Sequence, residues 1–221
     1  MIVLHHLNHS RSQRILWLLE EMGLPYEIEH YARDSRTMLA PTHLAKVHPL
    51  GKSPVITDGD ATIAESGAII EYLVDMYGEG KYKPQRDNNQ AYRDYLYWMH
   101  YAEGSVMPFL VMRLVFDQIE ARKLIFPVKQ IVRTLCQQVH STYLKPNIER
   151  HMHFVEDFLS SHEWLAGDNL SGADIQMSFP LEAMVTGGMT GESFPRIVEY
   201  VKKLQARPAY QRALKRAGPY D

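Results

Sequence analysis

The change of periodicity at Gly80-Lys81-Tyr82-Lys83-Pro84 constrains this chain more than any other feature. Before it, strand-like runs alternate with helical ones; after it, apolar residues recur only at helical spacing. Ile2 to Leu7 reads as a strand, and Ile15, Leu18, Leu19 and Met22 mark a helix that Gly23 and Pro25 end. Tyr26 to Tyr31 alternates as a strand, and a polar stretch then runs to Pro49. Val55-Ile56-Thr57 and Thr62-Ile63-Ala64 flank the turn signal Asp58-Gly59-Asp60-Ala61, and Ile69, Ile70, Leu73 and Val74 mark a second helix closed by Gly78. The order βαβ, then ββα, predicts a mixed four-stranded sheet whose first parallel pair has a right-handed crossover. An α/β N-terminal domain is therefore expected over 1–79, a linker at about 80–89, and an all-helical C-terminal domain over 90–221.

Within that second part, helices are predicted at 88–120, 128–161, 172–186, 194–206 and 209–216, with Pro146 kinking or dividing the second. Ser171-Gly172-Ala173-Asp174, flanked by Leu170 and Ile175, resembles a capping box and reads as a helix start rather than an active site. The chain's single cysteine, Cys136, beside Leu135 and Val139, is expected buried on a helix, and the absence of any second cysteine points to a reducing compartment. No segment approaches the roughly 20 apolar residues of a membrane-spanning helix, and the chain opens on Met1-Ile2-Val3-Leu4-His5-His6 without a secretory pattern. Cytoplasm is the expected compartment. The 24 basic and 26 acidic residues nearly cancel, so nothing suggests a nucleic-acid partner, and a small or neutral one is expected.

Three segments carry candidate chemistry. Asn8-His9-Ser10-Arg11-Ser12-Gln13-Arg14 lies between the first strand and first helix, where helix-terminal N–H groups suit an anion or thiolate; equally, Ser10 or Ser12 is simply an N-cap. Gly51-Lys52-Ser53-Pro54-Val55 places a proline at a strand start, where a cis peptide can be selected and the backbone of Ser53 can pair with an extended peptide; the alternative is an ordinary trans proline. Glu65-Ser66 opens the second helix, so Ser66 offers a hydroxyl and an N–H to a carboxylate and Glu65 an acceptor for an ammonium, unless the pair only caps the helix. Other chemistries lack their scaffolds. His151 and His153 are two apart on a helix, His5 and His6 face opposite sides of a strand, no Gly-x-Ser-x-Gly elbow occurs, and no Cys-x-x-Cys is present.

Taken in order, Ser10-Arg11-Ser12-Gln13-Arg14-Ile15-Leu16-Trp17-Leu18-Leu19-Glu20-Glu21, His48-Pro49-Leu50-Gly51-Lys52-Ser53-Pro54 and Ala64-Glu65-Ser66-Gly67-Ala68-Ile69 resemble the glutathione site of the soluble glutathione S-transferase family. Leu170-Ser171-Gly172-Ala173-Asp174-Ile175 is similar to that family's folding motif in its second domain. With neither Tyr nor Cys after the first strand, the chain resembles a serine-type member of the theta-like, fungal and bacterial branch. The resemblance implies a thioredoxin-like N-terminal domain, a helical C-terminal domain, and no cofactor beyond glutathione as co-substrate. It implies Ser10 as the thiol-activating group, Ser53 before a cis Pro54 pairing with the cysteinyl backbone, Glu65 and Ser66 on the γ-glutamyl end, and Lys52 on the glycyl carboxylate. Ser53 departs from the apolar β-branched residue usual there, a change that backbone pairing tolerates.

The implied reaction is conjugation of the thiolate to a small hydrophobic electrophile, the chemistry of detoxification, in a pocket between the domains that Tyr101, Met107 and Phe116 help to wall. Peroxidase, dehalogenase or isomerase activity, or a non-catalytic binding or assembly module, are the alternatives. A homodimer is expected from the aromatic surface of Tyr92, Tyr95, Tyr97, Trp98 and Tyr101, and the resemblance implies that Glu103 reaches the ammonium of the other subunit's glutathione.

Overall fold

The structure, a computed structural model, describes residues 1–218. Strand β1 (Ile2–Leu7), helix α1 (Ser12–Met22) and strand β2 (Tyr26–Tyr31) form the βαβ unit, and β1 pairs with β2 in parallel, Ile2 opposite Tyr26 and Leu7 opposite Tyr31. Strands β3 (Val55–Asp58) and β4 (Ala61–Ala64) make an antiparallel hairpin, with Gly59 at φ +56° in its two-residue turn. That positive φ costs glycine nothing and suits the twist of a tight hairpin. β3 also pairs antiparallel with β1, so the described sheet has the order β2-β1-β3-β4, the mixed four-stranded sheet expected from the pattern. Helix α2 (Ser66–Tyr77) follows.

Beyond residue 80 come α3 (Asn89–Tyr101), α4 (Met107–Glu120), α5 (Val128–Val139), α6 (Lys145–Leu159), α7 (Gly172–Thr186), α8 (Pro195–Gln205) and α9 (Pro208–Ala217). The predicted helices at 88–120 and 128–161 each contain one π turn, Ala102–Val106 and His140–Leu144. Both stand just ahead of a proline, Pro108 or Pro146, near the start of the next helix. A proline ring clashes with the carbonyl four residues earlier and offers it no N–H. Here those carbonyls belong to Gly104 and Thr142, inside the two π turns, and widening the turn keeps the helix running past the proline.

The described residues fall into two compact units. The first holds Met1–Met99, Trp164–Phe179 and the described residues from Val201 onward; the second holds His100–Glu163 and Pro180–Tyr200. In the first unit, α1 is buried from Ser12 through Leu19, and Leu4, Ile56, Ile69 and Leu73 of β1, β3 and α2 are fully buried as well. Helix α9 packs on it: Trp17 meets Tyr210 edge-on at 5.3 Å, Glu21 takes a bidentate pair from Arg207 at 2.5 and 3.0 Å, and Arg212 and Arg216 reach Glu20 at 2.7 and 3.2 Å. Burial alone would raise the Glu20 carboxyl, but hydrogen bonds from Tyr26, Arg212 and Arg216 outweigh it and hold it below its ordinary value. The second unit buries Leu144, Ile148, Met152, Val155, Leu181, Ile197 and, as expected, Cys136.

The start of α7 is built by its capping segment. Asp174, wholly buried, accepts from Ser171 N and Ser171 Oγ at 2.7 Å each and from Leu165 N at 2.8 Å. The Ser171 hydroxyl thus donates to the carboxylate rather than accepting from the helix, which is half of the reciprocal box the sequence suggested. Gly172 must lack a side chain, since a Cβ there would lie 2.7 Å from Ile70 Cγ2 and 2.8 Å from Tyr95 Oη. Asp174→Ala strands three donors and is expected to cost at least about 3 kcal/mol, whereas Gly172→Ala forces a shift of about 1–3 kcal/mol. Urea unfolding of both variants measures this, and a loss below about 1 kcal/mol in Asp174→Ala would refute the capping role.

Candidate active site

The polar residues at the start of α1 are buried, so each must find a partner inside the protein. Ser10 sits in the loop after β1 and is 5% exposed; Ser12, the first residue of α1, is 0% exposed. Ser10 Oγ donates to Leu7 O at 2.8 Å, lies 2.8 Å from Ser12 Oγ, and accepts the Ser12 backbone N–H at 3.2 Å. Ser12 Oγ lies 2.9 Å from His6 Nδ1 and 3.2 Å from Leu7 O. The capping alternative is thus partly realised, because Ser10 does take an N–H at the helix start, while the N-cap residue itself, Arg11, makes no side-chain cap.

Arg33 ties this loop to the end of β2. Its backbone N–H bonds Asn8 Oδ1 at 2.8 Å, and its guanidinium reaches Asn8 O at 3.1 Å, His9 O at 3.3 Å and Met38 O at 2.9 Å. From the other direction comes Ser53, whose hydroxyl donates to His5 O at 3.0 Å and stands 3.5 Å from Ser10 Oγ. The Ser53–Pro54 peptide is cis. Ser10, Ser12 and Ser53, from sequence segments more than 40 residues apart, therefore share one place at the end of β1.

Arg14 organises a second cluster. It is 1% exposed, and its Nη1 donates to Ser66 Oγ at 2.9 Å and to Gln176 Oε1 at 3.2 Å, with the Phe179 ring 5.3 Å from its Cζ. A buried guanidinium thereby joins the starts of α1 and α2 to α7. Glu65, the N-cap of α2, makes no side-chain cap; it is exposed and held at φ 74°, ψ 124°. Such a conformation costs a non-glycine residue about 1–3 kcal/mol and persists where the surroundings impose it. Lys52 is exposed. Sequence reasoning assigned no role to His6, Arg14 or Gln176; the only hint was a run of polar side chains where α1 is otherwise apolar.

Of the candidates from the helical part, Tyr101, Glu103, Met107 and Phe116 belong to the second unit. Tyr101 and Met107 are buried in the helical unit, Tyr101 with its hydroxyl 2.5 Å from His151 Nδ1, and Phe116 is half-buried against His140 at 6.2 Å between rings. Glu103 is half-buried in the first π turn. Of the five aromatic residues on α3, Tyr95, Trp98 and Tyr101 are buried within the chain, leaving Tyr97 exposed and Tyr92 half-buried. The histidines diverge as their spacing implied: His5 bonds Tyr31 while His6 meets Ser12, and His151 meets Tyr101 while His153 stacks edge-on against Phe194.

Burial, followed by the neighbouring His30, pushes His6 down to about 4 from 6.5. Between those values the unfolded chain binds a proton that the folded protein does not, so this contribution to stability is complete above about pH 6.5 and is lost as pH falls toward 4. It amounts to something on the order of 3 kcal/mol. In His6→Asn the unfolding free energy should fall less steeply over that interval, as urea titrations at successive pH values would show; an unchanged slope would remove His6 as the cause.

Comparison with known proteins agrees with the fold described above. Residues 1–75 match the family described as glutathione S-transferase, N-terminal domain, and residues 129–215 match glutathione S-transferase, C-terminal domain. Over 210 residues the chain is 39% identical to glutathione S-transferase 3 of Schizosaccharomyces pombe, covering 95% of this chain and 85% of that protein. It is 32% identical over 226 residues to glutathione S-transferase 1 of Saccharomyces cerevisiae, covering 98% and 95%. A solved glutathione S-transferase from Actinobacillus pleuropneumoniae superposes with a TM-score of 0.82 at 33% identity, covering 100% of this chain and 95% of that one.

Proposed function

The chain belongs to the glutathione S-transferase family, and from that premise we propose that Ser10 activates the thiol of bound glutathione for attack on a small hydrophobic electrophile. The observation that carries this reading is the meeting of Ser10 and Ser53 at the end of β1, their hydroxyls 3.5 Å apart. A cysteinyl residue paired with the backbone of Ser53 brings its sulfur to the Ser10 hydroxyl. The tripeptide's γ-glutamyl end lies at the start of α2. There the Ser66 hydroxyl, already accepting from Arg14, keeps its own proton for the carboxylate, and Glu65 faces the ammonium. Arg14 adds a buried positive charge beside that carboxylate. Lys52 takes the glycyl carboxylate.

A free thiol with a pKa near about 8.5 is mostly protonated at neutral pH. The Ser10 O–H stabilises the thiolate after its proton has left to solvent; the sulfur lone pair then forms a carbon–sulfur bond as the electrophile's leaving group, a halide for an aryl halide, departs with its electron pair. Ser10 acts throughout as a donor. Of the residues proposed to wall the electrophile's pocket, Tyr101, Met107 and Phe116, Phe116 retains the most exposed surface. Domain roles follow the same reading, glutathione binding by 1–79 and a helical domain over 90–221. The protein is proposed to be a cytoplasmic homodimer with Glu103 facing the other subunit's glutathione, and the exposed Leu96 and Tyr97 on α3 suit that contact. Sedimentation at micromolar concentration should give a dimer, and a monomer would overturn that part.

Losing one charge-assisted hydrogen bond of about 1.5–3 kcal/mol, Ser10→Ala should raise the bound thiol's pKa by about one to two units and slow turnover roughly 10- to 150-fold. Glutathione affinity should change less. Glu65→Ala and Ser66→Ala should do the reverse, raising Kd for glutathione more than they lower kcat, because they touch a part of the ligand that does not react. Thiolate ultraviolet absorbance against pH, with calorimetric Kd values, reads both. An unshifted titration in Ser10→Ala removes Ser10 from the mechanism.

A further inference from the structure

Beneath Ser10 lies a row of three buried polar groups whose direction follows from counting protons. The three shortest contacts are His6 Nδ1 to Ser12 Oγ at 2.9 Å, Ser12 Oγ to Ser10 Oγ at 2.8 Å, and Ser10 Oγ to Leu7 O at 2.8 Å. Each needs one proton. The two hydroxyls supply two, and Leu7 O supplies none. With His6 protonated on Nε2 only, three contacts share two protons and one fails. With His6 protonated on Nδ1, all three are made: Nδ1–H donates to Ser12, Ser12 to Ser10, and Ser10 to Leu7 O. A contact left without its proton would hold two lone pairs against each other at 2.8 to 2.9 Å, inside the hydrogen-bonding distance.

We propose that His6 and Ser12 are positioning residues that aim the Ser10 hydroxyl, with His6 held as the Nδ1–H tautomer at the head of a one-way chain of donors ending on the glutathione sulfur. This rests on the proposed role of Ser10. Ser10 Oγ receives both the Ser12 hydroxyl and the Ser12 backbone N–H, so its two lone pairs are filled and its proton is the one group left to give. In the absence of thiolate that proton rests on Leu7 O; swinging it to sulfur breaks nothing upstream. Donation into Ser10 also polarises its O–H, strengthening the last bond of the chain. His30 on β2, with its ring 5.7 Å from that of His6, is the neighbouring titratable group, and the low proton affinity of buried His6 keeps it neutral, with a single N–H, at neutral pH. Ser12 is accordingly no silent bystander to Ser10.

The tautomer is directly observable in the free protein. Imidazole ¹⁵N shifts of His6 should show a protonated Nδ1, and an Nε2–H imidazole overturns the chain whatever Ser10 does. In the presence of saturating glutathione, His6→Leu and Ser12→Ala should each raise the thiol pKa by about half to one unit, a roughly three- to tenfold loss of thiolate at a fixed lower pH. The double variant should do no worse than the larger single, because one chain is cut once or twice. His6→Asn, which keeps an amide donor near the Nδ1 position, should restore most of the shift; this separates aiming from mere packing, as would an unchanged Kd for glutathione. If Ser10→Ala shifts the titration while His6→Leu and Ser12→Ala do not, the chain is wrong and thiol activation by Ser10 stands. If Ser10→Ala leaves the titration in place, the activation reading falls, and with it the proposed function of the chain.

Discussion

Helix α1 cannot be exposed on any side. Its first eight residues, Ser12 to Leu19, are all buried, and a helix buried all round normally carries apolar residues all round. From Ile15 to Leu19 it does. Ser12, Gln13 and Arg14 break that rule, and burial converts each into a demand for a specific partner. Ser12 finds His6 and Ser10; Arg14 finds Ser66 and Gln176. The same enclosure that stabilises the fold therefore assembles the candidate site at its polar end.

The opposite end of α1 is held by charge. Glu20 and Glu21 meet three arginines of the last helix and the segment entering it, at distances between 2.5 and 3.2 Å. The Glu21–Arg207 pair is bidentate and largely shielded from water, the geometry in which an ion pair is specific as well as attractive. Removing either partner would leave the other charge uncompensated in a half-buried place, so the pair acts more as a constraint on where α9 docks than as a surplus of stability. Residues some 190 positions apart in the chain are thereby joined, α1 to α9.

Much of this architecture was legible beforehand because it depends on local periodicity. The alternation over Tyr26–Tyr31, the Gly59 turn and the helical spacing past residue 88 each report which face an element must bury, and β2-β1-β3-β4 follows once a crossover and a hairpin are placed. Pro146 announced an interruption, and a π turn stands just before it. Ser10, Ser53 and Ser66 were legible as candidates because each borders a strand or opens a helix. Their mutual arrangement was not, since hydrogen bonds such as Arg14 to Gln176 join residues with no sequence relation. The aromatic residues of α3 misled for the same reason: a count of rings does not reveal that Tyr95 and Trp98 turn inward.

By itself, then, the sequence determined the elements, the sheet that they form and the family to which the chain belongs, because those depend on spacing along the backbone and on motifs that local geometry requires. Tertiary structure alone decided which polar groups are buried together. Desolvation makes an unpartnered hydroxyl or guanidinium costly, and only the packed fold says which groups water has left. That is why His6, with nothing in its sequence surroundings to mark it, ends beneath Ser10, and why Ser12 is bound to Ser10 instead of standing apart from it.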